Sequence, residues 1–277
     1  MLMSIEQINP EVTQYDYDKL YNLNASLLQN IHYAESVQQG ILPHKRHFER
    51  MFKDYFILYK PHGIISGDFY WIGQKGNIKY FVVGDCTGHG VSAAMLSVLA
   101  LGFLNYLVLG KEFEKLGDLL GELDKKWIET FHQGSESPFN NDWLEIGICA
   151  INEAEKTLTY AGAMSSLSII ENNVQKTIKG NRFPIGGWQL EKKRNYTTQT
   201  VPYGSGAMIY LASDGFKDQF GGKLNKRFTT KNVTQMFQDY HHMECALQHL
   251  VFEDIFNRWK GTEEQTDDVC LLGIRLR

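Results

Sequence analysis

Residues 91–110 form twenty consecutive residues without a charged side chain. A stretch this long and apolar folds either as a membrane-spanning helix or as a helix buried in a large core. Ser97 and Asn105 dilute its hydrophobicity, and Glu112 follows the basic Lys111 at once, so the flanking charge bias of membrane spans is missing. We therefore expect a core helix here, and no membrane span in this chain.

Composition narrows the class of protein further. The 277 residues include 28 Lys and Arg and 32 Asp and Glu, and the resulting net charge of -4 argues against a mainly electrostatic binder of nucleic acid or of anionic membranes. The four cysteines form no CxxC pair, which makes a disulfide framework or a structural zinc site a poor explanation. The first residues also lack the pattern of a signal peptide, so we expect a cytoplasmic protein.

Residues 15–42 have the pattern of one long helix that ends before Pro43. Its apolar side chains repeat with an average step of 3.5 residues, the coiled-coil period. Two interpretations stay open: a parallel coiled coil in a homodimer, or an amphipathic helix packed on its own domain. We place a domain boundary here, with a linker helix at 1–43 and a second domain at 44–277. The repeat consists of Leu20, Leu23, Leu27, Ile31, Ala34, Val37 and Ile41.

After residue 52, short runs of β-branched and aromatic residues alternate with turns, which is typical of antiparallel strands. We expect strands at 55–60, 68–72, 78–84, 144–152, 157–161, 167–171, 174–178, 196–201, 207–213 and 269–275, helices at 91–109, 113–131, 230–239 and 242–259, and a loop at 132–142. This order predicts an α+β fold, a central antiparallel β-sandwich flanked by helices and preceded by the long N-terminal helix.

Acidic residues stand at the ends of several predicted strands, beside glycine or at a turn. They are Asp68, Asp85, Asp214 and the pair Asp267 and Asp268. Carboxylates that converge on one end of a sandwich repel one another unless a cation neutralises them, and oxygen ligands suit Mg2+ or Mn2+. A turn-forming role is the alternative for any one of these residues.

The segment GDCTGHG at 84–90 adds specificity. Its glycines surround Asp85 where a strand gives way to the apolar helix, and they allow the backbone to approach an ion closely. The N–H groups of the helix would face the same place, which favours a bound phosphate. His89 is either a general acid or a residue with structural hydrogen bonds only.

Six motifs follow one another in the order found in the metal-dependent protein Ser/Thr phosphatases, the PPM family, and are most similar to its SpoIIE/RsbU-like bacterial branch. They are SGDFYW at 66–71, GDCTGHGVSAAM at 84–95, YAGA at 160–163, PIGG at 184–187, SDGFKDQFGG at 213–222 and TDD at 266–268. The resemblance covers residues 35–277 and implies the fold described above.

The resemblance also implies a centre of two Mn2+ or Mg2+ ions. Asp85 would bridge both ions, the carbonyl of Cys86 would bind one of them, and Asp214 would help to hold the other. The remaining implied residues are Asp267 as a ligand, Asp68 at or just beyond the ions, Asp218 at a weaker third ion and Asp268 as a support. Asp85 and Asp214 are the residues to which we assign catalysis, while Lys60 and His89 are candidates for contact with the substrate phosphate.

The implied activity is hydrolysis of phosphoserine or phosphothreonine on a signalling protein by a metal-activated water. In this branch the usual substrate is a phosphorylated anti-sigma-factor antagonist, and an N-terminal sensor domain usually controls the enzyme. The alternatives are a catalytically silent binding module of the same fold, which the retained acidic residues disfavour, and another two-metal phosphoesterase. A cysteine phosphatase is excluded because no cysteine is followed by arginine in a Cys-x5-Arg pattern.

Overall fold

The computed structural model describes residues 14–133, 141–188 and 193–277, without the side chains of residues 14–16. Most of the loop predicted at 132–142 lies outside these ranges. The strands are β1 Tyr55–Lys60, β2 Phe69–Lys75, β3 Ile78–Cys86, β4 Trp143–Asn152, β5 Thr157–Ala163, β6 Ser166–Glu171, β7 Val174–Lys179, β8 Ile185–Gly186, β9 Gln199–Pro202, β10 Met208–Ala212, β11 Phe220–Gly221, β12 Lys226–Arg227 and β13 Val269–Arg275.

The helices are α1 Gln14–Ile41, α2 Lys45–Met51, α3 Val91–Leu104, α4 Leu116–Phe131, α5 Gly215–Asp218, α6 Thr229–Tyr240 and α7 Cys245–Lys260. A π-helical turn, Asn105–Leu109, continues α3. Helix α2 was not predicted, because its seven residues bury a single side chain, Phe48, and so show no apolar period.

Two antiparallel sheets carry the fold. The first has the strand order β1-β13-β10-β6-β7, and the second has the order β2-β3-β4-β5-β9, with β8 paired to β4. Alternate residues of β3 show how the layers meet: Phe81 and Val83 lie in the apolar cluster between the sheets, whereas Val82 packs towards α3 and α4. Helices α6 and α7 cover the first sheet. The α+β sandwich flanked by helices is confirmed.

The charge-free segment buries one side against the second sheet and α4, and its other side leaves Val91, Met95 and Tyr106 at least half exposed. By length and composition alone, Val91–Leu109 could cross a membrane. Half of its most apolar 18-residue stretch is buried inside the protein. Ala100, Leu101, Leu104 and Leu107 are fully buried among the side chains of α4 and the second sheet. This packing agrees with the predicted core helix.

The predicted N-terminal helix is present as α1 and ends before Pro43. Leu20, Leu23 and Leu27 are at least half exposed along its free length, whereas Gln38 near its end is buried. The helix therefore packs on its own domain through its last turns and leaves most of the heptad repeat uncovered. Pairing with a second copy and the domain boundary at residue 43 stay predictions.

Candidate metal centre

Strand pairing in the second sheet brings two of the predicted acidic residues together. Phe69 at the start of β2 pairs with Gly84 near the end of β3. Asp68 directly precedes Phe69, and Asp85 directly follows Gly84. Because the two strands are antiparallel, both carboxylates lie at the same end of the sandwich. Asp68 is buried, with 1% of its surface exposed.

The first sheet ends at the same place. Ala212 of β10 pairs with Leu271 of β13, which puts Asp214 and the 267–268 pair beside each other. A hydrogen bond connects the two sheets, because the Ser213 hydroxyl donates to Oδ2 of Asp68 over 2.5 Å. We call this cluster, formed by Asp68, Asp85, Asp214, Asp267 and Glu145, the acidic end.

Like charges dominate the electrostatics of the acidic end. Burial raises the pKa of Asp68 well above its usual range, and the neighbouring Asp85 raises it further. Burial also raises the pKa of Asp85, to which the charges of Asp214 and Asp267 add. A divalent cation bound among these groups would stabilise their ionised forms.

The residues present fit a hard cation. Oδ1 of Asp214 is buried and has no hydrogen-bond partner, which is costly for a carboxylate oxygen unless something else binds it. The donors are oxygen atoms, as Mg2+ and Mn2+ prefer. Within the described ranges, no three His, Cys, Asp or Glu residues are already grouped closely enough to hold an ion, so the assignment depends on donor chemistry and on this unpaired oxygen.

The glycine-rich loop between β3 and α3 has the predicted backbone freedom. Gly88 and Gly90 have φ angles of 85° and 74°, a region that β-carbon-bearing residues rarely adopt. Thr87 fixes the loop to β4, because its hydroxyl donates to the Trp143 carbonyl and accepts from the Trp143 N–H, each over 2.8 Å. The thiol of Cys86 is buried, and burial raises its pKa well above the usual range, so only its main chain is available to a ligand.

Asp268 supports the loop that leads to Asp68. Its Oδ1 accepts the N–H of His62 and its Oδ2 accepts the N–H of Gly67, both over 2.7 Å. The Asp267 carboxylate in turn accepts the N–H of Asp268 over 2.8 Å. Both oxygens of Asp268 are thus engaged by the backbone, in line with the supporting role that the resemblance implies.

The two candidate phosphate contacts lie in different places. Lys60 pairs with Glu253 of α7 over 2.7 Å and lies in the groove beside that helix. His89 is exposed beside Asp85, with its ring 5.5 Å from that of His62. His89 therefore keeps its place at the rim of the acidic end, while the ammonium of Lys60 is occupied by an ion pair.

Sequence reasoning missed Glu145. This residue lies directly opposite Asp85 in the β3–β4 register and lines the same cleft. Burial and then the charge of Asp214 raise the pKa of Glu145 to about 7. The sequence of β4 has the pattern of a buried apolar strand, so Glu145 did not stand out. Glu145 reaches the acidic end through the pairing register of β3 and β4, which no local sequence pattern reveals.

Sequence reasoning also missed a buried polar contact that links α1 to this end. The Gln38 amide donates to the Ser66 carbonyl over 2.6 Å and to the Ser97 hydroxyl of α3 over 2.9 Å, and it accepts the Ser66 N–H over 3.1 Å. The Ser66 hydroxyl accepts the N–H of Asp68 over 3.1 Å. The loop before Asp68 is thereby connected to both helices.

Residues 77–277 match the model of the Stage II sporulation protein E (SpoIIE) family. The chain belongs to the SpoIIE family. Comparison with curated proteins gave no match. Among solved structures, the SiaA-PP2C domain of Pseudomonas aeruginosa is 26% identical, with a TM-score of 0.83 over 92% of this chain and 99% of that one.

Two more distant structures share the fold. The RsbU and RsbW domains of a Mycobacterium tuberculosis protein are 17% identical, with a TM-score of 0.64, and the match covers 81% of this chain and 60% of that one. The PP2C phosphatase domain of Bacillus subtilis SpoIIE is 13% identical, with a TM-score of 0.63 over 80% and 62% of the two chains. This SpoIIE-family chain thus has the fold of PP2C-type protein phosphatases.

Proposed function

We propose that this protein is a metal-dependent phosphatase of phosphoserine and phosphothreonine in a protein substrate. One observation carries the proposal: strand ends from both sheets bring carboxylates to one end of a PP2C-type sandwich, where Oδ1 of Asp214 is buried without a hydrogen-bond partner. Such a group of oxygen donors is suited to a hard divalent cation such as Mn2+ or Mg2+.

In this proposal Asp85, Asp214 and Asp267, with the Cys86 carbonyl, hold two ions, and Asp68 lies at or just beyond them. When bound, the ions supply an activated water and neutralise charge on the phosphoryl group. Asp85 and Asp214 are the catalytic residues because they would hold the reacting centre.

The chain's own residues would position this centre. Asp268 fixes the loop before Asp68 through two main-chain N–H groups, and Ser213 fixes the Asp68 carboxylate. We propose that His89, which is exposed and lines the same cleft as Asp85, donates a proton to the leaving serine or threonine oxygen. The exposure of His89 to solvent supports this role, because a substrate could reach it.

The substrate class follows the family resemblance. We propose a phosphorylated signalling protein of the anti-sigma-factor-antagonist type, controlled through α1 by a sensor domain or partner, with the chain acting as a homodimer. The uncovered apolar side chains of α1 support a partner at that helix. All four cysteines are free and buried, which suits a reducing cytoplasm.

The test is hydrolysis of p-nitrophenyl phosphate, a phosphoserine peptide, a nucleotide and DNA, each with Mn2+ and with a chelator. We expect turnover of the first two with Mn2+ only. Turnover confined to DNA or the nucleotide would favour another two-metal phosphoesterase. Binding of a phosphoprotein without turnover of any substrate would favour a silent binding module.

A further inference from the structure

Lys217 places a cation of the chain itself within the acidic end. Its ammonium lies 3.7 Å from Oδ2 of Asp214 and 3.8 Å from Oδ2 of Asp218. The exposed fractions of the three side chains are 39%, 29% and 25%. These charges are therefore partly shielded from water, and they interact more strongly than a fully exposed pair would.

The two oxygens of Asp214 have different surroundings. Oδ2 faces the Lys217 ammonium, whereas Oδ1 is buried and has no hydrogen-bond partner. One oxygen thus remains available to an ion of the proposed centre while the other is neutralised from within the chain. Lys217 and a metal ion can share this carboxylate without competing for the same atom.

Asp218 differs, because cations of the chain face both of its oxygens. Nη1 of Arg227 on β12 donates to Oδ1 over 3.1 Å, and Lys217 faces Oδ2. The Arg227 guanidinium also lies 5.6 Å from the ring centroid of Phe220 on β11, which holds it against the hairpin. Asp218 thus has its charge matched without a metal ion and does not fit the role of ligand to a third ion.

Glu145 brings a third carboxylate to the same group, because it lines one pocket together with Asp214 and Lys217. After burial, the charge of Asp214 is the main influence that raises its pKa, and the charge of Lys217 acts in the opposite direction. Asp218 contributes a further repulsive charge. Lys217 is therefore a single cation that acts on three neighbouring carboxylates.

We propose that Lys217 takes the place of a third metal ion, so that the centre of this protein binds two divalent ions. The inference rests on the proposed function. A further divalent ion at Asp218 would have to lie within a few ångströms of the Lys217 ammonium, and like charges at that distance repel strongly in a partly buried site. The chain thus carries permanently a charge that a dissociable ion would otherwise supply.

The experiment counts bound Mn2+ by the electron paramagnetic resonance of the free ion during titration of the full chain, checked by calorimetry. We expect two equivalents in the wild type. Lys217→Met should bind a third equivalent, at least about tenfold tighter than any residual third binding in the wild type. Lys217→Arg keeps the charge and should retain two. Lys223→Met removes an exposed lysine from the adjacent hairpin and is the matched control, with two equivalents expected.

The outcomes separate the two proposals. A wild type that binds three ions, or a Lys217→Met chain that still binds two, would overturn the role of Lys217 while leaving a metal-dependent phosphatase intact. A third equivalent in Lys223→Met as well would reduce the effect to net charge and overturn it too. A wild type that binds no Mn2+ and hydrolyses no phosphoester would overturn both proposals. Circular dichroism of each variant confirms that the counts refer to folded chains.

Discussion

The two ends of the sandwich shift the pKa values of their carboxyl groups in opposite directions. Next to β1, Asp54 accepts the Nε–H of Arg275 over 2.7 Å and the N–H of Cys245 over 3.0 Å. Burial opposes its ionisation, yet these hydrogen bonds outweigh burial and lower its pKa. At the acidic end, burial and like charges instead raise the pKa values of Asp68 and Asp85. One end is arranged for stability, and the other holds repulsion that a ligand can relieve.

The largest expected effect is the loss of activity at the acidic end. Asp85→Asn and Asp214→Asn should each lower metal-dependent turnover by at least about a hundredfold, because each removes a charged ligand. In chelator, the melting temperature of Asp85→Asn should not fall, since a repulsive charge is removed. Turnover and thermal unfolding measured side by side check both parts. Near-normal turnover at saturating Mn2+ would contradict the metal centre.

In the loop between β3 and α3, substitutions that strain the backbone should reduce turnover, whereas a change of the Cys86 side chain should not. Gly88→Val or Gly90→Val should reduce turnover more than tenfold, because their φ angles of 85° and 74° are strained for a β-branched residue. Cys86→Ser should stay within a few-fold of the wild type, since only its carbonyl is needed. Steady-state kinetics compare the three variants. An inactive Cys86→Ser, together with inactivation of the wild type by a thiol reagent, would point to a cysteine nucleophile instead.

A substitution at the opposite end of the sandwich, where Asp54 pairs with Arg275, should change stability rather than turnover. Asp54→Asn should lower the free energy of unfolding by about 1–3 kcal/mol, because it weakens the charged hydrogen bond that Asp54 accepts from Arg275. The folded-state pKa of Asp54 lies below the unfolded value of about 3.9, so the stabilisation is present at neutral pH and is lost as the pH falls through the folded pKa. Denaturant melts at pH 7 and near pH 3 test this. A difference between wild type and variant that grows on acidification would contradict the ion pair.

The smallest effect concerns α1. Leu27→Glu with Ile31→Glu should lower self-association, and metal-dependent turnover by a few-fold, because both charges enter the apolar repeat. Asn22→Glu with Gln29→Glu adds the same charge to another side of the helix and should change neither. Sedimentation of the wild type and both variants measures self-association, and turnover is assayed on the same samples. A wild type that stays monomeric at high concentration would leave α1 as a packed helix without a second copy.

The sequence predicts those parts of the molecule that depend on local chemistry. Strand β1 begins and ends where its β-branched and aromatic run does, and Asp68, Asp85 and Asp214 stand at strand ends as expected. Contacts that depend on pairing between distant strands could not be predicted: Glu145 is placed by its register opposite Asp85. Gln38 likewise has a partner 28 residues away, and its own helix gives no sign of it.

Gln38 also makes the position of α1 relative to the loop of Asp68 specific. Rotation of the helix by one residue, about 100°, would put an apolar Val37 where the amide now meets Ser66, and would leave a buried N–H unpaired. An orphaned buried donor costs about 1–3 kcal/mol, and intermediate rotations lose the hydrogen bonds without gaining others. A disturbance of α1 would therefore reach the loop of Asp68 as a step rather than as a gradual displacement.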